Sequence, residues 1–206
     1  MDPLTTQPSL FDGDGLAVDP TFAATRRTQL DERSWVDYVP GWLSGSDELF
    51  AHLRAAPGWE QRDRRMPHGV VQEPRLTLDV PALADAPHPM VRTIVDALSH
   101  RYGVGYDGLW MNLYRDHRDS TGWHGDAATC RRPECVVPVL SLGAARRFLV
   151  RPVEGGPSTA WSPVSGDLVV MGGRCQTEWR HAVPKQTKAA GPRISLNLRA
   201  SSQARA

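Results

Sequence analysis

The feature that most constrains the fold is a pair of metal-ligand side chains two residues apart, with a third much later in the chain. His124 and Asp126 belong to the segment Trp123-His-Gly-Asp126, and His181 follows 55 residues after Asp126. Side chains two apart on an extended strand point to the same face. The intervening segment is long enough for the chain to form several strands and return. The spacing therefore predicts a fold in which strands bring the three side chains together.

The rest of the chain supports a mostly β fold. Runs of apolar and β-branched residues are separated by Gly- and Pro-rich turns such as Glu154-Gly-Gly-Pro157, and near the end of the chain apolar and polar residues alternate with the period of a half-buried strand. The candidate strands are Leu109–Tyr114, Val136–Ser141, Arg147–Val150, Leu168–Met171 and Ile194–Arg199. Short strands broken in this way predict a sandwich or jelly roll.

Two helices are predicted ahead of the metal motif. Ser46 is a candidate N-cap for a helix through Arg54, and Pro89 and Gly103 frame a second helix with apolar residues at helical spacing. We expect a loosely ordered N-terminal arm over 1–33, one domain over 34–200 and a short tail over 201–206. The predicted architecture is mostly β with flanking helices, packed on one side of a double-stranded β-helix (jelly-roll) core.

The ligand types indicate a particular metal chemistry. Two imidazoles and one carboxylate form the facial triad of non-haem Fe(II) oxygenases, which leaves the opposite face of the ion open. Arg193 and Arg199 are six residues apart, so they share one face of the last predicted strand. A guanidinium fork is a natural partner for a carboxylate. The residues together predict Fe(II) and a small dicarboxylic acid.

Composition and charge limit the choice of partners. The net charge is +1, so binding to nucleic acid would depend on local patches and not on the charge of the whole protein. No apolar stretch approaches membrane-spanning length and no secretory signal is visible, so we expect a cytoplasmic monomer with no membrane partner. Three cysteines do not make a disulfide framework, and reduced thiols are favoured over a zinc site at Cys130 and Cys135.

Several motifs in order resemble the AlkB family of Fe(II)- and 2-oxoglutarate-dependent dioxygenases. They are Asn112-Leu-Tyr-Arg115, Trp123-His-Gly-Asp126, Ser141-Leu-Gly143, His181-Ala-Val-Pro184 and Pro192-Arg-Ile-Ser-Leu-Asn-Leu-Arg199. The similarity covers roughly residues 35–200 and is greatest to the branch that repairs alkylated bases in single-stranded DNA and RNA. Trp59-Glu-Gln-Arg62 and Gln72-Glu-Pro-Arg-Leu-Thr77 resemble the nucleotide-recognition region of that branch.

The resemblance implies a role for each matching residue. His124, Asp126 and His181 would bind Fe(II). The contacts to 2-oxoglutarate would come from Asn112, Tyr114, Arg193 and Arg199, with Arg199 as the main partner of the distal carboxylate. Ser195 stands where the family usually has Asn, and Asn197 could compensate on the same strand face. At the substrate, Trp59 would either stack on a base or belong to the core, and Arg62 would either meet a phosphate or lie in a solvated basic loop. Arg75 would either hold the recognition loop or touch a phosphate.

The resemblance also implies the reaction, oxidative demethylation of bases such as 1-methyladenine and 3-methylcytosine with release of formaldehyde, succinate and CO2. Ala127 and Ala128 replace an acidic residue of the branch, and Leu78-Asp79-Val80 stands where it usually has aromatic residues. These departures keep an alternative open, the same oxygenase chemistry acting on a protein side chain or a small metabolite. A third alternative, a barrel that only binds nucleic acid, is disfavoured by the intact triad.

Overall fold

The computed structural model describes residues 15–66, 69–126 and 134–200. The helices are α1 (Ser46–Ala55) and α2 (Met90–Tyr102), with a 3-10 turn at Leu83–Asp85. The strands are β1 (Ala17–Val18), β2 (Arg26–Gln29), β3 (Ser34–Val39), β4 (Leu43–Ser44), β5 (Asp63–Met66), β6 (Gly69–Gln72), β7 (Leu76–Val80), β8 (Gly108–Tyr114), β9 (Thr121–His124), β10 (Val137–Gly143), β11 (Phe148–Pro152), β12 (Thr159–Trp161), β13 (Leu168–Gly173), β14 (Trp179–Val183) and β15 (Arg193–Arg199).

Two antiparallel sheets form the body of the described protein. The larger has seven strands in the order β2-β3-β13-β10-β15-β8-β7, and the smaller has four in the order β12-β11-β14-β9. Strands distant in sequence are neighbours in both sheets, as in β3 with β13 and β9 with β14. Two short antiparallel pairs, β1 with β4 and the hairpin of β5 with β6, complete the described strands. This arrangement confirms the predicted mostly β fold with a jelly-roll core.

The central strands of the large sheet are buried on both faces, and each face has its own core. One face packs against the helices through β15 residues Ile194, Leu196 and Leu198 together with Leu49 of α1 and Ile94 of α2. The other face packs against the small sheet through a cluster that includes Val139, Phe148, Met171 and Val183. Because side chains alternate along a strand, the polar residues of β15 point between the sheets. The predicted half-buried strand is therefore almost wholly buried, with its polar face inside the protein.

Both predicted helices form, but the start of α1 differs from the prediction. Gly45 is the N-cap, in the left-handed region with φ 61°, and a Cβ there would meet the backbone nitrogen of Leu16 at 2.7 Å. Ser46 lies inside the helix, where its hydroxyl pairs with that of Ser165 at 2.8 Å. The prediction for Ser46 as N-cap is wrong, because its hydroxyl bonds to the side chain of Ser165 and not to the backbone at the start of the helix. Helix α2 ends at Tyr102, with Gly103 as its C-cap, as predicted.

Part of the predicted N-terminal arm, residues 15–33, is folded. Residues 1–14 and 201–206 lie outside the described residues. Within 15–33, β1 pairs with β4, β2 pairs with β3, and Phe22 is 4% exposed against Trp42. Residues 15–33 are therefore part of the folded unit, because the edge of the large sheet offers unpaired backbone groups that β2 satisfies.

Two further predictions can be compared with the described residues. Neither α1 nor α2 is long and apolar enough to cross a bilayer. Cys175 is a buried free thiol, whereas Cys135 is disulfide-bonded, so the expectation of reduced thiols is wrong for Cys135. Cys130, Ala127 and Ala128 lie outside the described residues.

Candidate metal and co-substrate site

The three predicted metal ligands meet between the two sheets. His124 ends β9, and the register of the small sheet places it directly opposite His181 on β14. Nε2 of His124 lies 3.5 Å from one carboxylate oxygen of Asp126, and Nε2 of His181 lies 3.3 Å from the other. Among the described residues these three form the one group of potential ligands whose donor atoms converge, all within 4.8 Å of one another.

The electrostatics of the triad favour a bound cation. Burial lowers the pKa of His124 to about 4, and the nearby His181 adds to the shift, so the imidazole is neutral at physiological pH. Nδ1 of His124 lies 2.9 Å from the backbone oxygen of Gly122; if Nδ1 donates there, the Nε2 lone pair is free for a metal. Burial alone would raise the pKa of Asp126, but the two imidazoles hold it below its ordinary value.

The donor set fits Fe(II). Metal–ligand bonds of about 2.1 Å meeting near right angles place neighbouring ligand atoms roughly 3 Å apart, close to the spacing found here. Two neutral imidazoles and one carboxylate on one side of the ion leave its other positions open. His124, Asp126 and His181 would thus hold the metal, as predicted.

Gln176 positions Asp126, and sequence reasoning missed it. It is 2% exposed in the turn between β13 and β14, and its Oε1 accepts a hydrogen bond of 2.9 Å from the backbone nitrogen of Asp126. Gly125 allows this contact, since a Cβ there would lie 2.5 Å from the backbone oxygen of Gln176. A lone Gln 50 residues from its partner leaves no signal in the sequence.

A small cavity of about 30 Å³ opens beside the triad between the two sheets. Its walls are the inward faces of the sheet strands, formed by Trp110, Asn112, Tyr114, Thr121, His124, Asp126, Val139, Phe148, His181, Val183, Arg193, Ser195 and Asn197. All the predicted 2-oxoglutarate contacts except Arg199 line this cavity. We refer to it as the inner pocket.

Arg193 is the cation of the inner pocket. It is 1% exposed, and one nitrogen donates to the hydroxyl of Ser141 at 2.8 Å. Its Nε and Nη1 have no hydrogen-bond partner among the described residues. Burying a guanidinium with unsatisfied donors is costly, and a carboxylate placed there would satisfy them. The arrangement therefore fits the distal carboxylate of a dicarboxylic acid.

Arg199 occupies a different position from the one predicted. Its Nη2 forms an ion pair of 2.7 Å with Asp79, and its guanidinium lies 5.7 Å from the ring centre of Trp110. It lines the open groove outside the inner pocket. The prediction of Arg199 as main anchor is not supported, because its charge is already paired while that of Arg193 is not.

The remaining predicted contacts are arranged by hydrogen bonds. Tyr114 is buried with its hydroxyl 2.9 Å from that of Thr121, which holds it at the pocket wall. Asn197 donates to the backbone oxygens of Trp110 and Ser195, at 3.0 and 3.1 Å, and more weakly to the Ser195 hydroxyl. The amide hydrogens of Asn197 are therefore largely engaged within the protein, and Ser195 faces the pocket beside Asn112.

An open groove of about 320 Å³ adjoins the inner pocket, and we refer to it as the outer groove. Its lining consists of charged and polar side chains with one aromatic residue: Arg62, Asp63, Arg64, Glu73, Arg75, Thr77, Trp110, Asn112, His124, Asp126 and Arg199. Arg62 and Arg64 are exposed at the base of the β5–β6 hairpin. Arg62 is thus placed where a substrate phosphate could reach it.

Two of the predicted substrate residues have other partners. Trp59 packs against the main core, and its indole nitrogen donates to the backbone oxygen of Leu53 at 3.1 Å. Its predicted stacking role is not supported, since it lines neither cavity. Arg75 binds Glu73 at 2.9 Å and Asn112 at 3.0 Å, which favours the loop-holding alternative over phosphate contact.

Trp110 is the aromatic residue that sequence reasoning missed. It lies on β8 with Asn112 and Tyr114, at the spacing of two that puts all three on one strand face, and it lines both cavities. The alternation was visible in the sequence once Asn112 was assigned to the pocket.

Comparison with known proteins agrees with this geometry. The model of the 2OG-Fe(II) oxygenase superfamily matches residues 77–199. Human alpha-ketoglutarate-dependent dioxygenase alkB homolog 3 is 32% identical over 188 residues, covering 81% of this chain, and the chain spans 66% of that relative's length. The DNA oxidative demethylase ALKBH2 of Arabidopsis thaliana is 28% identical over 135 residues, covering 54% of this chain and 43% of the relative.

Solved structures show the same fold at low sequence identity. OsALKBH1 aligns with a TM-score of 0.59 at 15% identity, covering 84% of this chain and 99% of that one. A prolyl hydroxylase from Trichoplax adhaerens aligns with a TM-score of 0.58 at 11% identity, covering 80% of this chain and 83% of that one. The superfamily match agrees with the predicted Fe(II) and 2-oxoglutarate. This chain belongs to the 2OG-Fe(II) oxygenase superfamily, and its relatives confirm the resemblance to the AlkB family.

Proposed function

We propose that the protein removes alkyl groups oxidatively from bases of single-stranded DNA or RNA, with 1-methyladenine and 3-methylcytosine as substrates. The products would be the repaired base, formaldehyde, succinate and CO2. A cytoplasmic monomer remains our prediction for its location and assembly.

The observation that carries the proposal is the position of His124 and Asp126, which line both the inner pocket and the outer groove. A metal held by them would be reached by the co-substrate from the inner pocket and by the substrate from the outer groove. The outer groove is open to solvent and therefore accessible to a base extruded from a strand, and extrusion costs least for damaged or unpaired bases.

The chemistry of the outer groove suits a nucleotide. Arg62 and Arg64 offer exposed cations for phosphates, and Trp110 offers a ring face for a base. Stacking of a base on an aromatic side chain contributes roughly 1–3 kcal/mol. The relatives named as an alkB homolog and a DNA oxidative demethylase support the same substrate class.

The residues divide the work between the two cavities. Fe(II), when bound, supplies together with 2-oxoglutarate and dioxygen the oxidising power that hydroxylates an alkyl C–H bond. Arg193 would orient 2-oxoglutarate through its distal carboxylate, and the buried walls of the inner pocket exclude water from it. Trp110 would hold the base with its alkyl group facing the metal side of the outer groove. The hydroxyalkyl group then leaves the ring nitrogen as an aldehyde.

Mass spectrometry of methylated oligonucleotides tests the proposal. We expect loss of 14 Da per methyl group from single strands carrying 1-methyladenine or 3-methylcytosine, with succinate formed in step. His124→Ala and Asp126→Ala should abolish both while leaving the circular dichroism spectrum unchanged. Trp110→Ala should reduce oligonucleotide turnover more than uncoupled 2-oxoglutarate consumption, because stacking acts on the base.

A second candidate is the same chemistry on a protein side chain or small metabolite. It is favoured by Leu78-Asp79-Val80, which places an acidic side chain instead of an aromatic one beside Arg199 of the outer groove, where the two form an ion pair. Consumption of 2-oxoglutarate without methyl loss from either base in any strand context would favour this candidate and exclude the nucleic-acid proposal.

A further inference from the structure

Arg75 connects the outer groove to the inner pocket through hydrogen bonds and is largely withdrawn from solvent, with 14% of its side chain exposed. Its Nε donates to Oδ1 of Asn112 at 3.0 Å, and its Nη2 lies 2.9 Å from the carboxylate of Glu73. We propose that Arg75 is a positioning residue for the oxygenase reaction, which fixes the orientation of the Asn112 amide so that its NH2 group faces the co-substrate.

The two ends of the Asn112 amide have opposite hydrogen-bonding roles. An amide oxygen only accepts hydrogen bonds and an amide nitrogen only donates them. Oδ1 of Asn112 receives one bond from Arg75 and a second of 3.2 Å from the hydroxyl of Thr77. These donors satisfy both lone pairs of the oxygen, so the nitrogen must point the other way. There it lies 3.4 Å from the hydroxyl of Ser195, at the wall of the inner pocket.

The orientation matters because 2-oxoglutarate presents only acceptor oxygens. An NH2 group facing the inner pocket can donate to a carboxylate or keto oxygen, whereas a flipped amide would place its own oxygen against them. Without Arg75, the Thr77 hydroxyl alone would oppose the flip, and this hydroxyl can also accept a hydrogen bond. Arg75, which is always protonated, can only donate. It therefore excludes the flipped state.

Glu73 keeps the Arg75 side chain in place. The ion pair is largely enclosed, with 16% of the Glu73 side chain exposed, and Glu73 comes directly after strand β6 of the hairpin. A salt bridge with this little solvent around it restricts the guanidinium more than an exposed pair would. The inference rests on 2-oxoglutarate as the ligand of the inner pocket and does not depend on nucleic acid as the substrate.

Binding of 2-oxoglutarate to the Mn(II)-loaded protein, without oligonucleotide, is the direct test. Arg75→Met should weaken the affinity about tenfold, as expected for loss of a charge-assisted hydrogen bond that orders the site. Arg92→Met is the matched control, since Arg92 is an exposed arginine on α2, and it should bind like the wild type. An unchanged 2-oxoglutarate affinity in Arg75→Met, with weaker oligonucleotide binding, would identify a phosphate contact and overturn the proposal.

A double-mutant cycle separates positioning from general loss of structure. If Arg75 acts through Asn112, then Arg75→Met should add little to the defect of Asn112→Ala, whereas independent effects would add. Thr77→Val, which keeps Arg75, should cause a smaller loss than Arg75→Met. Additive effects in the cycle contradict the proposal. If the wild type does not bind 2-oxoglutarate, the assignment of this ligand to the inner pocket is wrong. If Arg75→Met and Asn112→Ala are non-additive but the wild type does not demethylate oligonucleotides, only the proposed substrate is wrong.

Discussion

At the scale of the residue, two arginines of the same strand have different environments. Arg193 is buried with two donors unpaired in the inner pocket, and Arg199 is paired with Asp79 in the outer groove. A spacing of six along one strand face predicts a shared direction but says nothing about the neighbours that each side chain meets. Burial and partners, and not spacing, determine which of the two can anchor a carboxylate.

This difference predicts the outcome of two matched substitutions. Arg193→Met should weaken 2-oxoglutarate binding by about 1.5–3 kcal/mol, or roughly 10- to 150-fold, since it removes a charged partner. Arg199→Met should weaken it by less than about fivefold, because the Arg199 charge is balanced by Asp79. Isothermal titration of both variants provides the measurement. A larger loss in Arg199→Met would restore Arg199 as the main anchor.

The reactivity of Cys175 tests the packing of the turn between β13 and β14, which contains Gln176. Burial raises the pKa of its thiol to about 12, so almost no reactive thiolate forms at pH 8. We expect native protein to resist iodoacetamide at this position and unfolded protein to react. Peptide mass mapping gives the answer, and rapid labelling of Cys175 in the folded protein would contradict the described burial.

At the scale of the element, the turn between β13 and β14 positions a metal ligand without contributing a ligand itself. Gln176→Leu removes the acceptor for the Asp126 backbone nitrogen at similar volume. Because loss of a residue that orients a metal ligand typically costs about 10- to 100-fold in affinity, we expect weaker Mn(II) or Co(II) binding by that order. Glu178→Gln, exposed in the same turn, is the control. Wild-type metal affinity in Gln176→Leu would show that Asp126 is held by other contacts.

Strand β15 shows why alternation alone is an incomplete guide. Its apolar residues face the helices and its polar residues face the small sheet, so the strand is buried on both sides. A polar side chain in an alternating pattern ordinarily indicates solvent. Here Arg193, Ser195 and Asn197 line an internal cavity, and the same pattern therefore marks a binding site.

At the scale of the whole molecule, the net charge of +1 limits electrostatic binding. For single strands each neutralised phosphate contributes a slope of about −0.7 to the dependence of log affinity on log salt. With two exposed arginines in the outer groove, we expect affinity for a methylated oligonucleotide to fall about tenfold or less between 50 and 200 mM salt. Fluorescence anisotropy across this range is the measurement, and a thousandfold fall would show a wider basic surface.

The sequence by itself determined the fold class, the metal triad and the family, because these depend on local residue patterns and on the order of motifs. The His124–Asp126 spacing, the distant His181 and the alternating last strand were enough to predict a jelly roll with a facial triad, because strand periodicity fixes which side chains share a face. The motif order was enough for the family. These features require no knowledge of which strands are neighbours.

Only the tertiary structure decided which side chains have partners. Trp59 packs in the core, Trp110 is the aromatic residue of the outer groove, and Arg75 is bonded to Asn112. Each of these positions depends on which parts of the chain pack together. Gln176 reaches Asp126 only because the turn between β13 and β14 lies beside the segment that follows β9. Hydrogen bonds and ion pairs act over a few ångströms of space, and a separation along the chain carries no record of that distance.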